Sequence, residues 1–293
     1  MTRLFFSTDM RRRATVPAVV ACAAFLSACT IGPATPDPTP PTVVASFTAT
    51  RNPSANPPKA TGLAASFEQL KLGGKAAIAV VPVGSSQPQK FGEWETGPAW
   101  STIKVPLAIA SVRETGSVSD QISAAITESD NEASEQIWSS LGEPATAGKK
   151  VGAVLRDGAD NATQVQDERV RPPYTAFGQT MWGLRDQAIF AAHLPCIARG
   201  PEIVQLMSAI VPGQQWGLSH VAGAAFKGGW GPDPDGHYLV RQFGIISVPS
   251  GGQVAVALSA EPTSGSYDDG VAMLDQIGEW VDAHLADLAG GAC

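Results

Sequence analysis

Apolar positions recur at helical spacing in "ATGLAASFEQLKL", residues 60–72, and the run stops at Gly73-Gly74, which predicts a helix with a sharp end. "KAAIAVVPVGSS" (75–86) is a continuous apolar run of strand length, and a second strand is expected around "KFGEWE" after the turn-rich "SSQPQ". From Ser101 to about Ser140 the period becomes helical, with breaks at Gly116 and near Asn131. "ATAGKKVGAVLRDG" and "LRDQAIFAAHL" also read as helices, and "PEIVQLMSAIV" opens with Pro201 at a helix start. Between the first two lies "NATQVQDERVRPPYTAFGQ", a polar segment long enough to suggest a functional loop. Strand patterns return in "GAAFKGG", "HYLVRQFGIISVP" and "GQVAVALSAE", the last two joined by a "PSGG" turn. An amphipathic helix, "DDGVAMLDQIGEWVDAHLADL", follows.

The predicted order is helix, two strands, a helical insert, three strands, helix, with no internal repeat. Strands that neighbour in a sheet but are split by helices imply an α/β (α+β) fold. Its antiparallel sheet is flanked by helices and carries a helical subdomain.

The N-terminus changes which residues belong to that fold. Arg3 and Arg11-Arg12-Arg13 precede "ATVPAVVACAAFLSA", an apolar stretch too short to count on as a spanning helix. It ends in "LSAC", Leu26 to Cys29, small residues directly before a cysteine, which resembles a bacterial lipoprotein signal; an ordinary cleaved secretory signal is the alternative. Either implies export. The expected organisation is a signal peptide at 1–28, a linker lipidated at Cys29 over 29–60, and a globular domain over 61–293. The sheet part of that domain would be 61–98 and 215–293, and the helical part 99–214. Eight of the 23 prolines fall between Thr30 and Lys59, a composition that makes a semi-extended tether.

Cleavage removes four basic side chains and one acidic, leaving 16 Lys+Arg against 26 Asp+Glu, a net charge of −10. An acidic exported chain without a basic patch argues against nucleic-acid binding, and the lipid expected on Cys29 would hold it at the cell membrane, facing the cell envelope. Cys22 leaves with the signal, so Cys196 and Cys293 remain as an even pair in an oxidising compartment, where a disulfide is expected.

Three short motifs occur in order: Ser101-Thr102-Ile103-Lys104, Ser129-Asp130-Asn131 and Lys227-Gly228-Gly229. Each alone has a plain structural explanation. Serine and lysine three apart share a helix face, Ser129 or Asp130 would cap the helix that follows, and Lys-Gly-Gly would mark a bulge. Together, in these settings, they resemble the S-x-x-K, S-D-N and K-[TS]-G motifs of the penicillin-recognising serine enzymes, the class A β-lactamases and D-alanyl-D-alanine peptidases. The resemblance extends over roughly residues 61–290.

The resemblance implies acyl transfer through Ser101. A serine hydroxyl needs a nearby base, and Lys104 lies one helical turn away, where burial would let its amine lose a proton. The N–H groups of Ser101 and Trp230 would receive the oxyanion, with Gly229 beside them. Ser129 would pass a proton to the leaving nitrogen, Lys227 would attract a substrate carboxylate and tune Ser129, and Asn131 would hold an amide of the acyl side chain. The implied ligand is a cell-wall peptide, a β-lactam or a related amide or ester, with no cofactor and no metal. A degenerate member that binds an envelope ligand or partner is the rival reading.

Several positions depart from the family pattern. Lys104 and Ser129 are only 25 positions apart, so the helical insert is trimmed. Gly228 replaces a hydroxyl residue, a loss worth roughly 1–3 kcal/mol of carboxylate recognition. Asp167 and Glu168 fall where the deacylating glutamate would be expected, but "QDERVRPP" lacks its E-x-x-L-N surroundings, so both read as solvated loop charges. Pro106 cannot donate to the Thr102 carbonyl, so the helix is irregular there or begins late. His193, His220, His237 and His284 have no ligand spacing. Trp100 and Trp230 flank motif residues and are expected to line the cleft.

Overall fold

The computed structural model describes residues 62–293. The signal peptide, the lipidation site Cys29 and the linker to residue 60 lie outside the described residues. The first helix, α1 (Leu63–Glu68), is shorter than the sequence pattern predicts, because Leu70 and Leu72 turn back to pack beneath the sheet. Nine residues then form β1 (Gly74–Pro82), buried along almost its whole length. Its side chains alternate, Ala77, Ala79 and Val81 into one core and Ala76, Ile78 and Val80 into another. A strand buried on both faces reads as a continuous apolar run, as this one does.

β2 (Gln89–Gly92) pairs antiparallel with β1. β3 (Thr96–Pro98) leads into a 3-10 turn, Trp100–Ile103, and then α2 (Lys104–Thr115), α3 (Asp120–Thr127), α4 (Asn131–Ser140) and α5 (Pro144–Asp157) follow. α2 is buried from Lys104 to Val112, on every side, which marks it as the central helix of the insert. After the polar loop come β4 (Met181–Gly183), α6 (Leu184–His193) and α7 (Gly200–Met207). β4 pairs with β3 in a two-stranded sheet of its own. α6 falls within the insert by sequence but packs on the main sheet, against β1 and β7.

β5 (Ala225–Pro232), β6 (Tyr238–Ser247) and β7 (Gln253–Pro262) complete a five-stranded antiparallel sheet in the order β2-β1-β7-β6-β5. α8 (Tyr267–Ala283) covers the face opposite α6, burying Met273, Leu274, Ile277, Trp280 and Val281. The sheet is thus sandwiched between helices, and β5 lies at its edge with one side toward the Ser101 turn. Cys196, just beyond α6, is joined to Cys293 by a disulfide, and Gly291 bridges to Gln253 at the start of β7. Among the described residues no helix is long and apolar enough to cross a membrane.

Candidate active site

Ser101 sits in the 3-10 turn rather than in α2, and α2 proper starts at Lys104. That division accommodates Pro106: it falls in the first helical turn, where its missing N–H breaks no intrahelical bond. Trp100, directly before Ser101, has φ 49°, a left-handed conformation costly for a bulky residue and held here by its surroundings. Ala99 N–H donates to Thr180 O at 2.7 Å and Thr102 Oγ1 donates to Ala99 O at 2.5 Å. Gln187 Nε2 on α6 donates to Thr102 Oγ1 at 2.9 Å, while its Oε1 accepts from Arg241 Nη2 at 2.9 Å. Arg241, fully buried on β6, also donates to the carbonyls of Gly97, Pro98 and Trp182. Burial draws its guanidinium down to about 9. This polar chain fixes residues 97–102, and hence the serine, from beneath.

The SDN segment meets the two lysines. Ser129 has φ 59°, and its Oγ accepts from Lys227 Nζ at 2.9 Å and from Lys104 Nζ at 3.3 Å. Lys104 Nζ also donates to Ser129 O at 2.6 Å, Asn131 Oδ1 at 2.8 Å and Asp130 O at 3.3 Å. Lys227 Nζ further donates to Gly228 O at 2.9 Å. Of the two candidate caps, Asp130 is the one used, its carboxylate accepting from Ala133 N–H at 2.9 Å.

Both amines are out of water, so both are biased toward the neutral form. Desolvation lowers Lys104 from 10.5 to about 7, opposed by the negative charge of Asp130. Lys227 lies well below an ordinary lysine, first through burial and then through the charge of Lys104. A lysine near 7 is half deprotonated at neutral pH and can accept a proton from a neighbouring hydroxyl.

Gly229 lies against the Ser101 turn: a Cβ there would come within 2.8 Å of Ser101 N and 2.9 Å of Thr102 N. The strand can approach the serine backbone this closely only because the residue is glycine. Gly228 has a different neighbour. A Cβ at that position would stand 2.7 Å from the Trp216 ring, so the tryptophan fills the space a hydroxyl side chain would need. The missing hydroxyl is thereby matched by a bulky partner that sequence reading passed over.

Above these groups opens a cleft of about 600 Å³, lined in part by Ser101, Lys104, Asn131, Trp100 and Trp230. Ser129 and Lys227 join it through their hydrogen bonds to Lys104 and to each other. Its lining adds residues not expected from sequence: Glu132 and Glu135 of α4, Arg169 and Tyr174 of the loop, and, at the sheet, Tyr238 of β6. Glu135 is paired with Arg169 at 2.6 Å. Asp167 and Glu168 do not line this cleft; they line a neighbouring one of about 730 Å³ with Glu143 and Trp138, bordered by the same Glu135 and Arg169. The four histidines are dispersed, and among the described residues no group of His, Cys, Asp or Glu could hold a metal ion. Glu132 and Glu135 did carry a signal in "SDNEASEQ", since residues one and four positions past Asn131 share the exposed start of α4.

No protein-family model and no curated protein matches the sequence. Solved structures do match in fold. The TLA-3 extended-spectrum β-lactamase superposes with a TM-score of 0.62 at 16% identity, over 76% of this chain and 98% of that one. A variant of the class A β-lactamase of the last common ancestor of Gram-negative bacteria gives 0.59 at 19%, over 77% and 98%. An ancestral class A β-lactamase gives 0.55 at 21%, over 75% and 98%. The five-stranded sheet between helices, with its insert after the first strands, is the fold of the class A β-lactamases.

Proposed function

We propose that the chain is an exported, lipid-anchored serine hydrolase that is acylated at Ser101 by a cell-wall peptide, a β-lactam or a related amide or ester. The observation that carries this reading is the bonded cluster Lys104–Ser129–Lys227, whose Lys104 lines one cleft with Ser101 and is held near 7. Lys104 Nζ takes the proton of Ser101 Oγ as that oxygen bonds to the acyl carbon. The N–H groups of Ser101 and Trp230 receive the resulting oxyanion. When the carbon–nitrogen bond breaks, Ser129 Oγ gives its proton to the leaving nitrogen and is reprotonated from Lys104, which returns to its neutral form. The products are an ester on Ser101 and a free amine.

Deacylation by water needs a positioned base. Asp167 and Glu168 open onto the other cleft, and Glu135 is tied to Arg169. Glu132, the other carboxylate on the Ser101 cleft, has no side-chain partner among the described residues to orient it, so slow β-lactam turnover is expected, with the acyl-enzyme accumulating. Intact mass after incubation of the full chain with a fluorescent penicillin and a fluorophosphonate tests the reading. An adduct present in the wild type and absent in Ser101→Ala supports it, and no adduct with either probe overturns it. Hydrolysis of a chromogenic cephalosporin then measures turnover. Anchoring is tested by labelling cells with an alkyne fatty acid: incorporation should be lost in Cys29→Ser.

A second reading, a cleft that binds an envelope ligand without acyl transfer, draws support from Gly228 packed beneath Trp216, which leaves the β5 wall without a hydroxyl donor. The same adduct experiment separates the two.

A further inference from the structure

Beside the Ser101 cleft lies a second cavity, of about 470 Å³, and the two share one wall: Trp100, Gly231, Pro232 and Tyr238 line both. The largest side chain in that wall is Trp100, only 6% exposed. A Cβ on Gly231 would stand 2.6 Å from its ring, so the indole lies directly on the β5 backbone. On its other side is the polar loop. Tyr174, from the lining of the Ser101 cleft, meets the indole edge-to-face at 5.2 Å. Arg171, from the lining of the second cavity, lies 4.9 Å over the Tyr174 ring. Arg171 Nη2 then donates to Pro232 O at 2.9 Å and Asp233 O at 3.2 Å, which ties the stack back to β5. From β5 through Trp100, Tyr174 and Arg171 to β5 again, the contacts close a ring between the two cavities.

Packing alone holds the indole in that wall. Among the described residues Trp100 Nε1 has no hydrogen-bond partner, and the residue is left-handed at φ 49°. A buried donor without a partner and a bulky residue in the left-handed region both cost free energy, so Trp100 is kept there against its local preference.

The second cavity suits an apolar group. Pro98, Pro234, Leu239 and Pro262 line it, and a proline offers no N–H. Its carboxylates are already engaged: Glu261 Oε1 accepts from Trp94 Nε1 at 2.8 Å, and Asp233 Oδ1 from the N–H groups of Asp235 and His237 at 2.9 Å each. Lys75 and His237, also on its lining, are exposed and keep their polar ends in water.

We infer that Trp100 sets the acyl specificity of this cleft: its ring walls off an apolar cavity, so that long aryl acyl groups are kept out and removing the ring admits them. The inference rests on acyl transfer at Ser101 for the group to be an acyl substituent.

Three fluorophosphonates carrying a butyl, a phenylbutyl and a biphenylbutyl group on phosphorus test it on the full chain. Each forms a bond from phosphorus to Ser101 Oγ and loses fluoride, with the serine proton passing to Lys104. The readout is the second-order rate of adduct formation by intact mass. In the wild type the biphenylbutyl probe should react no faster than the butyl probe. In Trp100→Gly, where the left-handed backbone suits glycine, the biphenylbutyl-to-butyl ratio should rise about tenfold or more as the aryl rings leave water, with phenylbutyl between. A ratio taken within one variant cancels any general loss of Ser101 reactivity. If circular dichroism shows that Trp100→Gly does not fold, Tyr174→Ala, which opens the same wall from the loop side, carries the same expectation. A ratio in the folded variant within about twofold of the wild type's, or a wild type that already prefers the biphenylbutyl probe, overturns the inference while leaving acyl transfer standing. If no probe labels Ser101 in any variant, acyl transfer fails, and equilibrium binding decides the role of the wall. Ligand-observed NMR should then show biphenylacetamide binding the opened variant at least about tenfold tighter than the wild type. Equal affinity, or binding to neither, would refute it.

Discussion

Lys104 gives the sharpest quantitative test. Its fall from 10.5 to about 7 corresponds, at 1.36 kcal/mol per unit, to about 5 kcal/mol of bias toward the neutral amine. At pH 7 about half the molecules then carry a competent base, against roughly one in 3,000 for an ordinary lysine. The rate at which a fluorophosphonate phosphonylates Ser101, releasing fluoride, should therefore rise about tenfold per pH unit below 7 and level off above it. Lys104→Arg, which cannot deprotonate, should lower the plateau by about 10²- to 10⁴-fold without unfolding the protein, as circular dichroism would verify. Asp130→Asn keeps a side chain able to cap α4 while removing the charge that raises Lys104, so the inflection should move to lower pH. Stability carries the opposite face of the same number. Between pH 7 and 10.5 the unfolded chain binds the Lys104 proton and the folded chain does not, so this residue makes the fold more stable as pH rises across that window. A rate that is flat from about pH 5 to 9, or that inflects near 10, would refute Lys104 as the base.

Other consequences follow from packing and covalent structure. Gly228→Thr drives a side chain into the Trp216 ring and should cost about 1–3 kcal/mol in urea denaturation. Adding Trp216→Leu should recover part of that loss, a coupling that a double-mutant cycle measures directly. Arg241→Met leaves the carbonyls of Gly97, Pro98 and Trp182 buried without that donor, and should destabilise the fold by at least about 1–3 kcal/mol. Where Arg241→Met still folds, Ser101 labelling should slow with its pH inflection unchanged, since the arginine acts on the position of the serine and not on Lys104. Cys293→Ser opens a loop spanning 97 residues, which the chain-entropy treatment values at about 4–5 kcal/mol, read as a lower melting temperature that reductant does not change further.

The sheet and most helices were legible because their side chains follow local periods. β1 and β7 are apolar on both faces, and α4 follows two adjacent cap candidates, Ser129 and Asp130, of which the structure uses Asp130. The three motifs were legible as residue types at a fixed spacing. What escaped is held by contacts between distant positions. β3 and β4 are three residues each, "TGP" and "MWG", too short for any alternation to show. The Arg241–Gln187–Thr102 chain joins positions 54 and 85 apart. Trp216 beneath Gly228 joins the approach to a 3-10 segment to the edge strand. The Ser101 turn looks helical in sequence, and its 3-10 geometry comes from Trp100 being held left-handed between Tyr174 and Gly231.

The two lysines show how burial can turn an ammonium group into a base within the cleft. An ammonium in water is a good anchor for a carboxylate and a useless base. Burial reverses both properties at once, because removing solvent penalises the charge that would attract the anion and frees the lone pair that takes the proton. In this chain Lys104 and Lys227 have both been carried in that direction, and their donors are taken up by Ser129, Gly228 and the backbone of the SDN turn. Acylation at Ser101, as proposed, thus depends on the same burial that lowers Lys104.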